Sequence, residues 1–124
     1  MNVTMLAKSL IALYNQGGPY TVDQLSAVYS NEITFTDPAH SITGLHMLCD
    51  YLNHQYGNVQ YCEFVLQGEW LSDNNLFLQW DMHVRHPKLK SGNTIVVNGL
   101  SKLVVCINEK GAAQIIDHRD YFDL

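Results

Sequence analysis

The spacing of apolar side chains differs between the two halves of this chain of 124 residues. Up to Tyr56, one short strand-like stretch around Ile33 to Thr36 apart, they recur three and four residues apart, the repeat of one helix face. Beyond Gly57-Asn58 large apolar and polar residues alternate, the repeat of strands with one buried face. Helices first and strands afterwards predict an α+β fold, not a chain of βαβ units. The length suits one domain, residues 1–124, with one core.

Within the first half, Thr4 is the expected cap of a helix running to about Gln16. Leu6, Leu10, Leu13 and Tyr14 form its apolar face, and Gly17-Gly18-Pro19 ends it. Thr21 and Gln24 match a capping box opening a short helix through Val28. Asn31 marks a break, after which Ile33-Thr34-Phe35-Thr36 reads as a strand stopped by Asp37-Pro38. Thr43 is a plausible cap for a third helix, residues 44–56, with Leu45, Leu48, Cys49, Leu52 and Tyr56 on one face.

The second half reads as one meander. Residues 59–70 alternate, with Cys62, Phe64, Leu66 and Trp70 on a common face. A polar turn at 72–75 makes a hairpin with residues 76–85, where Leu76, Leu78, Trp80, Met82 and Val84 point one way. A polar loop, 87–93, precedes a long strand, 94–107, whose interior Gly99 suggests a bulge or sharp bend. A turn at 108–111 leads into a last strand, 112–122. A bent antiparallel sheet wrapped around N-terminal helices would be a half-open, cone-shaped barrel enclosing a cavity.

Composition narrows the function. Hydrophobic residues make up 47% and charged ones 15%, the balance of a folded globule. Twelve acids against seven scattered Lys and Arg give a net charge of −5, which disfavours nucleic acid. Cys49, Cys62 and Cys106 are odd in number and lack CxxC spacing, so free thiols in a reducing cytoplasm are expected. No run approaches the ~20 apolar residues of a membrane span, and no signal peptide is recognisable. Phosphate-binding and dinucleotide glycine motifs are missing, so no cofactor is expected. His83 and His86 fall on opposite faces of a strand and do not make a metal pair.

The candidate chemistry sits at strand ends. Asp37 is either a carboxylate at the mouth of a pocket or an Asp-Pro turn residue bonding the next amides. Alternation on the last strand puts Ile116, His118, Asp120 and Phe122 on one face, opposite Asp117, Arg119, Tyr121 and Asp123. A His and an Asp two residues apart then tune each other's charge. Trp80, Met82, Ser101, Leu103, Phe122 and Phe35 are the expected ligand-lining residues, since aromatic and thioether groups on a concave face suit a hydrophobic ligand. A pocket requires Asp37 and Asp120 to line one cavity that Trp80 and Phe122 do not fill.

A Tyr-bearing first helix, a strand ending in Phe35-Thr36-Asp37-Pro38, a Gly44-opened helix and the long meander resemble the nuclear-transport-factor-2-like superfamily. So does the ending Asp117-His118-Arg119-Asp120-Tyr121-Phe122-Asp123. Its members include ketosteroid isomerases, limonene-epoxide hydrolases and SnoaL-like polyketide cyclases. The resemblance implies a domain usually dimeric through its sheet. Asp37 then matches the isomerase general base and Tyr14 its oxyanion-stabilising tyrosine. The acid partnering that tyrosine would fall near Leu103, which cannot donate a hydrogen bond. Asp120 is similar to one acid of the epoxide hydrolases' Asp-Arg-Asp set, whose other members would lie near Lys102 and Val104. The implied protein is a cofactor-free isomerase, cyclase or hydrolase for a hydrophobic small molecule. In it Asp37 is the acid or base, with Asp120, His118 and Tyr14 as partners. A non-catalytic ligand-binding or dimerisation module of the same fold is the alternative.

Overall fold

A computed structural model of the chain describes residues 2–56, 61–86 and 93–123. Helices α1 (Val3–Gln16), α2 (Val22–Ser26) and α3 (Leu45–Tyr56) cover one face of a six-stranded sheet. Its strands are β1 (Tyr29–Thr36), β2 (Ser41–Thr43), β3 (Tyr61–Ser72), β4 (Asn75–Arg85), β5 (Ile95–Ile107) and β6 (Ala113–Phe122), in the spatial order β2-β1-β6-β5-β4-β3. The architecture is α+β: a bent sheet forms an open, cone-like shell around the helices, with β2 and β3 as its edges. The sheet is mixed, because β1 runs parallel to β6 while the other neighbours are antiparallel. The long stretch between β1 and β6, α3 and four strands included, permits that parallel alignment.

Local chemistry explains the helix ends. Asn2, not Thr4, caps α1 by accepting the Met5 amide at 2.9 Å, so the helix begins earlier than expected. Leu6, Ala7, Leu10, Leu13 and Tyr14 are its buried face. Both halves of the Thr21–Gln24 capping box are present in α2. Thr43 belongs instead to β2, paired with Thr34, and α3 opens after Gly44, whose carbonyl accepts the Leu48 amide. Asn31 does not precede β1 but lies inside it, where the β1–β6 ladder slips between Tyr29 and Thr34.

Two bulges correct the strand faces read by alternation. Gln67 has no partner between Leu66–Trp80 and Gly68–Gln79, so the face flips and Trp70 points outward, 54% exposed, opposite Phe77. Ile116 is likewise skipped between Val104–Asp117 and Val105–Ile115. Ala113 and Ile115 therefore face the core before the bulge, and His118 and Asp120 face inward after it. Gly99, by contrast, sits in an unbroken ladder opposite Trp80. The glycine is there for space: a Cβ would lie 2.2 Å from the Trp80 ring.

Leu48, Leu52, Ile33, Leu76, Leu78, Leu103 and Ile115 are almost wholly buried and join helices to sheet in one core. Two asparagines tie the layers together. Asn15 pairs with both backbone groups of Phe64 on β3, and Asn53 with both of Tyr20. All three cysteines are free thiols, Cys49 buried and the others half-buried. Among the described residues no helix is long and apolar enough to cross a membrane. The expected polar loop at 87–93 lies almost entirely outside the described residues, as does Val59.

Candidate functional site

Register across the sheet assembles the polar centre. Ser101 of β5 pairs with Asp120 of β6, Leu103 with His118, and His118 with Phe35 of β1. A continuous hydrogen-bonded chain results. Trp80 Nε1–H donates to Ser101 Oγ (2.9 Å), and the Ser101 hydroxyl donates to Asp120 Oδ1 (2.5 Å). His118 Nε2 lies 2.7 Å from the same Oδ1, His118 Nδ1 2.7 Å from the Tyr29 hydroxyl, and that hydroxyl 2.8 Å from Tyr14.

The direction of these bonds follows from the donors. As a carboxylate Asp120 has no proton to give, so His118 donates from Nε2. A neutral His118 then accepts from Tyr29 at Nδ1, and Tyr29 accepts from Tyr14. A protonated His118 reverses the bond to Tyr29, whose own proton can then turn to Tyr14 and leave the Tyr14 hydroxyl proton to face the cavity. Burial pushes the Tyr14 and Tyr29 phenols well above their ordinary range, so both stay neutral. His118 is 2% exposed with both ring nitrogens engaged, so it orients Asp120 and Tyr29 and has no free atom for a ligand.

Asp37 is held differently. Its Oδ1 accepts the Ala39 (2.9 Å) and His40 (2.7 Å) amides, its Oδ2 accepts the Tyr51 hydroxyl, and His40 Nδ1 lies 3.4 Å away. Burial pushes this carboxyl up, but the Tyr51 and amide bonds outweigh it and the net shift is downward. Both oxygens are occupied, as in an Asp-Pro turn.

Asp37 and Asp120 line one cavity of about 260 Å³. Tyr14, Phe35, Met82 and Phe122 also line it, with Tyr51, Leu52, Gln55, Tyr56, Val84 and His86. Trp80 and Ser101 border instead a gap of about 20 Å³ beneath it, shared with Tyr14, His118 and Asp120. That is room for about one water. Leu103 is fully buried behind His118 and lines neither space, because its row of the sheet is the core row through Leu76. An open depression of about 710 Å³ at the rim is bordered by Asp37, Asp120 and the exposed Arg119.

Tyr29 and Tyr51 escaped the sequence reading, and Tyr56 enters it only as part of the apolar face of α3. Tyr51 stands off the apolar stripe of α3, and only its position one helix after Asp37 hints at contact. Tyr29 lies ahead of the break inferred at Asn31. Among the described residues, no three of His, Cys, Asp and Glu gather as metal ligands do.

No protein-family model matches the sequence, and no curated protein matches it. Solved structures do. A protein with a ketosteroid isomerase-like fold from Catenulispora acidiphila, in complex with trimethylamine, superposes with a TM-score of 0.80 at 11% identity, over 99% of this chain and 88% of that one. A candidate SnoaL-like polyketide cyclase from Shewanella denitrificans gives 0.76 at 16% identity, over 97% and 89%. An NTF2-like protein of unknown function from Exiguobacterium gives 0.73 at 14% identity, over 95% and 98%. The shared element order, the curled sheet and these superpositions establish that the chain has the nuclear-transport-factor-2-like fold, the fold of SnoaL-like and ketosteroid isomerase-like proteins.

Proposed function

We propose that this protein binds a small, largely apolar molecule in the 260 Å³ cavity and transforms it without a cofactor. The chemistry would be carboxylate acid–base catalysis of the isomerase, cyclase or hydrolase kind. The observation that carries the reading is two carboxylates, Asp37 and Asp120, lining one cavity together with the hydroxyl-bearing Tyr14. The volume lies below the roughly 300–1,000 Å³ of drug-sized sites, so the ligand is small. At 11% identity, the trimethylamine bound by one structural neighbour supports the fold and not a ligand.

Of the two acids, Asp120 is the better acid or base. Both oxygens of Asp37 accept protein hydrogen bonds, and its lowered pKa makes it a weak base. Asp120 receives both of its bonds on Oδ1, leaving Oδ2 without a protein partner among the described residues. His118 and Ser101 hold it in place, and Tyr14 would donate to the charge that develops on the substrate when Tyr29 turns its own proton to Tyr14. Leu103 supplies no second donor, a loss of on the order of 3 kcal/mol of transition-state stabilisation. Substrates whose anion is delocalised would tolerate that best.

A screen of small enones, epoxides and cyclisable ketones tests this. Asp120→Asn should lower kcat by about 10²–10⁴-fold and Asp37→Asn by much less. Equal activity in wild type and Asp120→Asn would exclude Asp120. The non-catalytic alternative is favoured by the aliphatic Leu103 and the fully bonded Asp37; ligand binding without turnover in wild type would establish it. The proposal includes a cytoplasmic protein and a homodimer through the outer face of the sheet.

A further inference from the structure

The phenyl and phenol rings around the cavity and the two carboxylates in it have the same electrostatic preference, and the imidazole of His86 completes the wall. Five aromatic side chains, Tyr14, Phe35, Tyr51, Tyr56 and Phe122, contribute to the wall. Aromatic faces carry negative quadrupole density and attract cations. The same wall holds two carboxylates and, among the described residues, no lysine or arginine.

Neither carboxylate is neutralised by a permanent cation. Their ion-pair partners among the described residues are histidines: His40 at Asp37, 49% exposed, and the buried His118 at Asp120. Arg119 is exposed and borders the rim depression, not this cavity. Two amides and a phenol hydroxyl fix the Asp37 charge in place and keep it from acting as a proton acceptor. The Asp37 charge is held by hydrogen bonds and an exposed histidine, so a bound cation would meet a fixed negative charge at short range. Anions meet two like charges there, and a neutral ligand packs on the rings but leaves their attraction for cations unused.

Building on the pocket reading above, we infer that the ligand carries a positive charge: a small alkylammonium or quaternary ammonium compound. Its cationic head would sit among Phe35, Tyr51 and Phe122 with Asp37 as its counter-charge. Its apolar remainder would lie against Leu52, Met82 and Val84, with Asp120 and Tyr14 left for the reacting end. The two carboxylates thereby take separate tasks, one a fixed charge and the other a proton carrier.

The test uses three probes of one shape on the intact chain: choline, its neutral carbon isostere 3,3-dimethylbutan-1-ol, and the anion 3,3-dimethylbutanoate. Calorimetry and aromatic NMR shifts would report binding. Choline should bind about tenfold more tightly than the alcohol, and the anion not measurably. Asp37→Asn and, independently, Phe122→Leu should bring the choline-to-alcohol ratio toward one. If the alcohol matches choline in wild type, the cation inference fails and the pocket reading stands. If the ratio survives both substitutions, choline binds elsewhere and the inference is overturned. If no probe binds natively folded wild type, the pocket reading itself falls and this inference with it. Should Asp37→Asn fail to fold, the Phe122→Leu ratio decides.

Discussion

Asp37 and Asp120 show how far a residue's neighbours outrank its identity. Both are aspartates, both reach the same cavity, and their hydrogen bonds give them opposite aptitudes. For Asp37 the linkage can be given a sign. Its folded pKa is lowered, so it adds stability that is fully present above the unfolded value of about 3.9 and lost as pH falls through the folded value. Tyr51→Phe should therefore move the Asp37 titration upward and cost about 1 kcal/mol at neutral pH. That is the low end for a charged hydrogen bond, because the site is partly open to water. Carboxyl-carbon NMR titration and urea unfolding would check both; an unmoved Asp37 titration would show that Tyr51 does not hold it. The Asp-Pro step was legible in the sequence as a strand end. Its partner was not, because Tyr51 lies 14 residues on and belongs to no motif.

Among the elements, the strands depart most from what alternation predicts. Period two assigns faces only while the ladder stays in step, and one unpaired residue reverses every assignment beyond it. Gln67 does this to Trp70, and Ile116 does it to its own strand, where the core passes from Ile115 to His118 across the bulge. A bulge needs no special residue, so neither position stood out. Gly99 did stand out, and its reason proved to be the neighbouring strand: Trp80 lies over it and reaches Ser101. Gly99→Ala should displace the Trp80 ring, break its bond to Ser101 and destabilise the fold by about 1–3 kcal/mol, as overpacking does. Urea unfolding and the Trp80 near-ultraviolet signal would measure this. A substitution that leaves both unchanged would mean the ring has room to move.

For the molecule as a whole, the helices cover the inner face of the sheet, and the outer face still carries large apolar groups. Val65 and Trp70 of β3, Val96 of β5 and Tyr121 of β6 are exposed there, between 37% and 54%. A homodimer through this face should sediment at twice the chain mass of 14.1 kDa. Trp70→Lys combined with Val96→Lys should return it to monomer without loss of fold, since a stable interface needs well over ~1,000 Å² of well-matched surface. A wild-type monomer at tens of micromolar would remove the dimer from the proposal.

By itself the sequence determined the fold class, the three helices and the meander. Hydrophobic period, caps and turn residues are local, and they act within a few residues of one another. It also showed that His118 and Asp120 share a face, because both follow the bulge and alternate undisturbed. Only the tertiary structure decided what those residues touch. The chain from Trp80 through Ser101, Asp120, His118 and Tyr29 to Tyr14 joins α1 to four strands. Its links depend on strand register and on two bulges, quantities set by the packing of the whole core, and no short stretch of sequence records them.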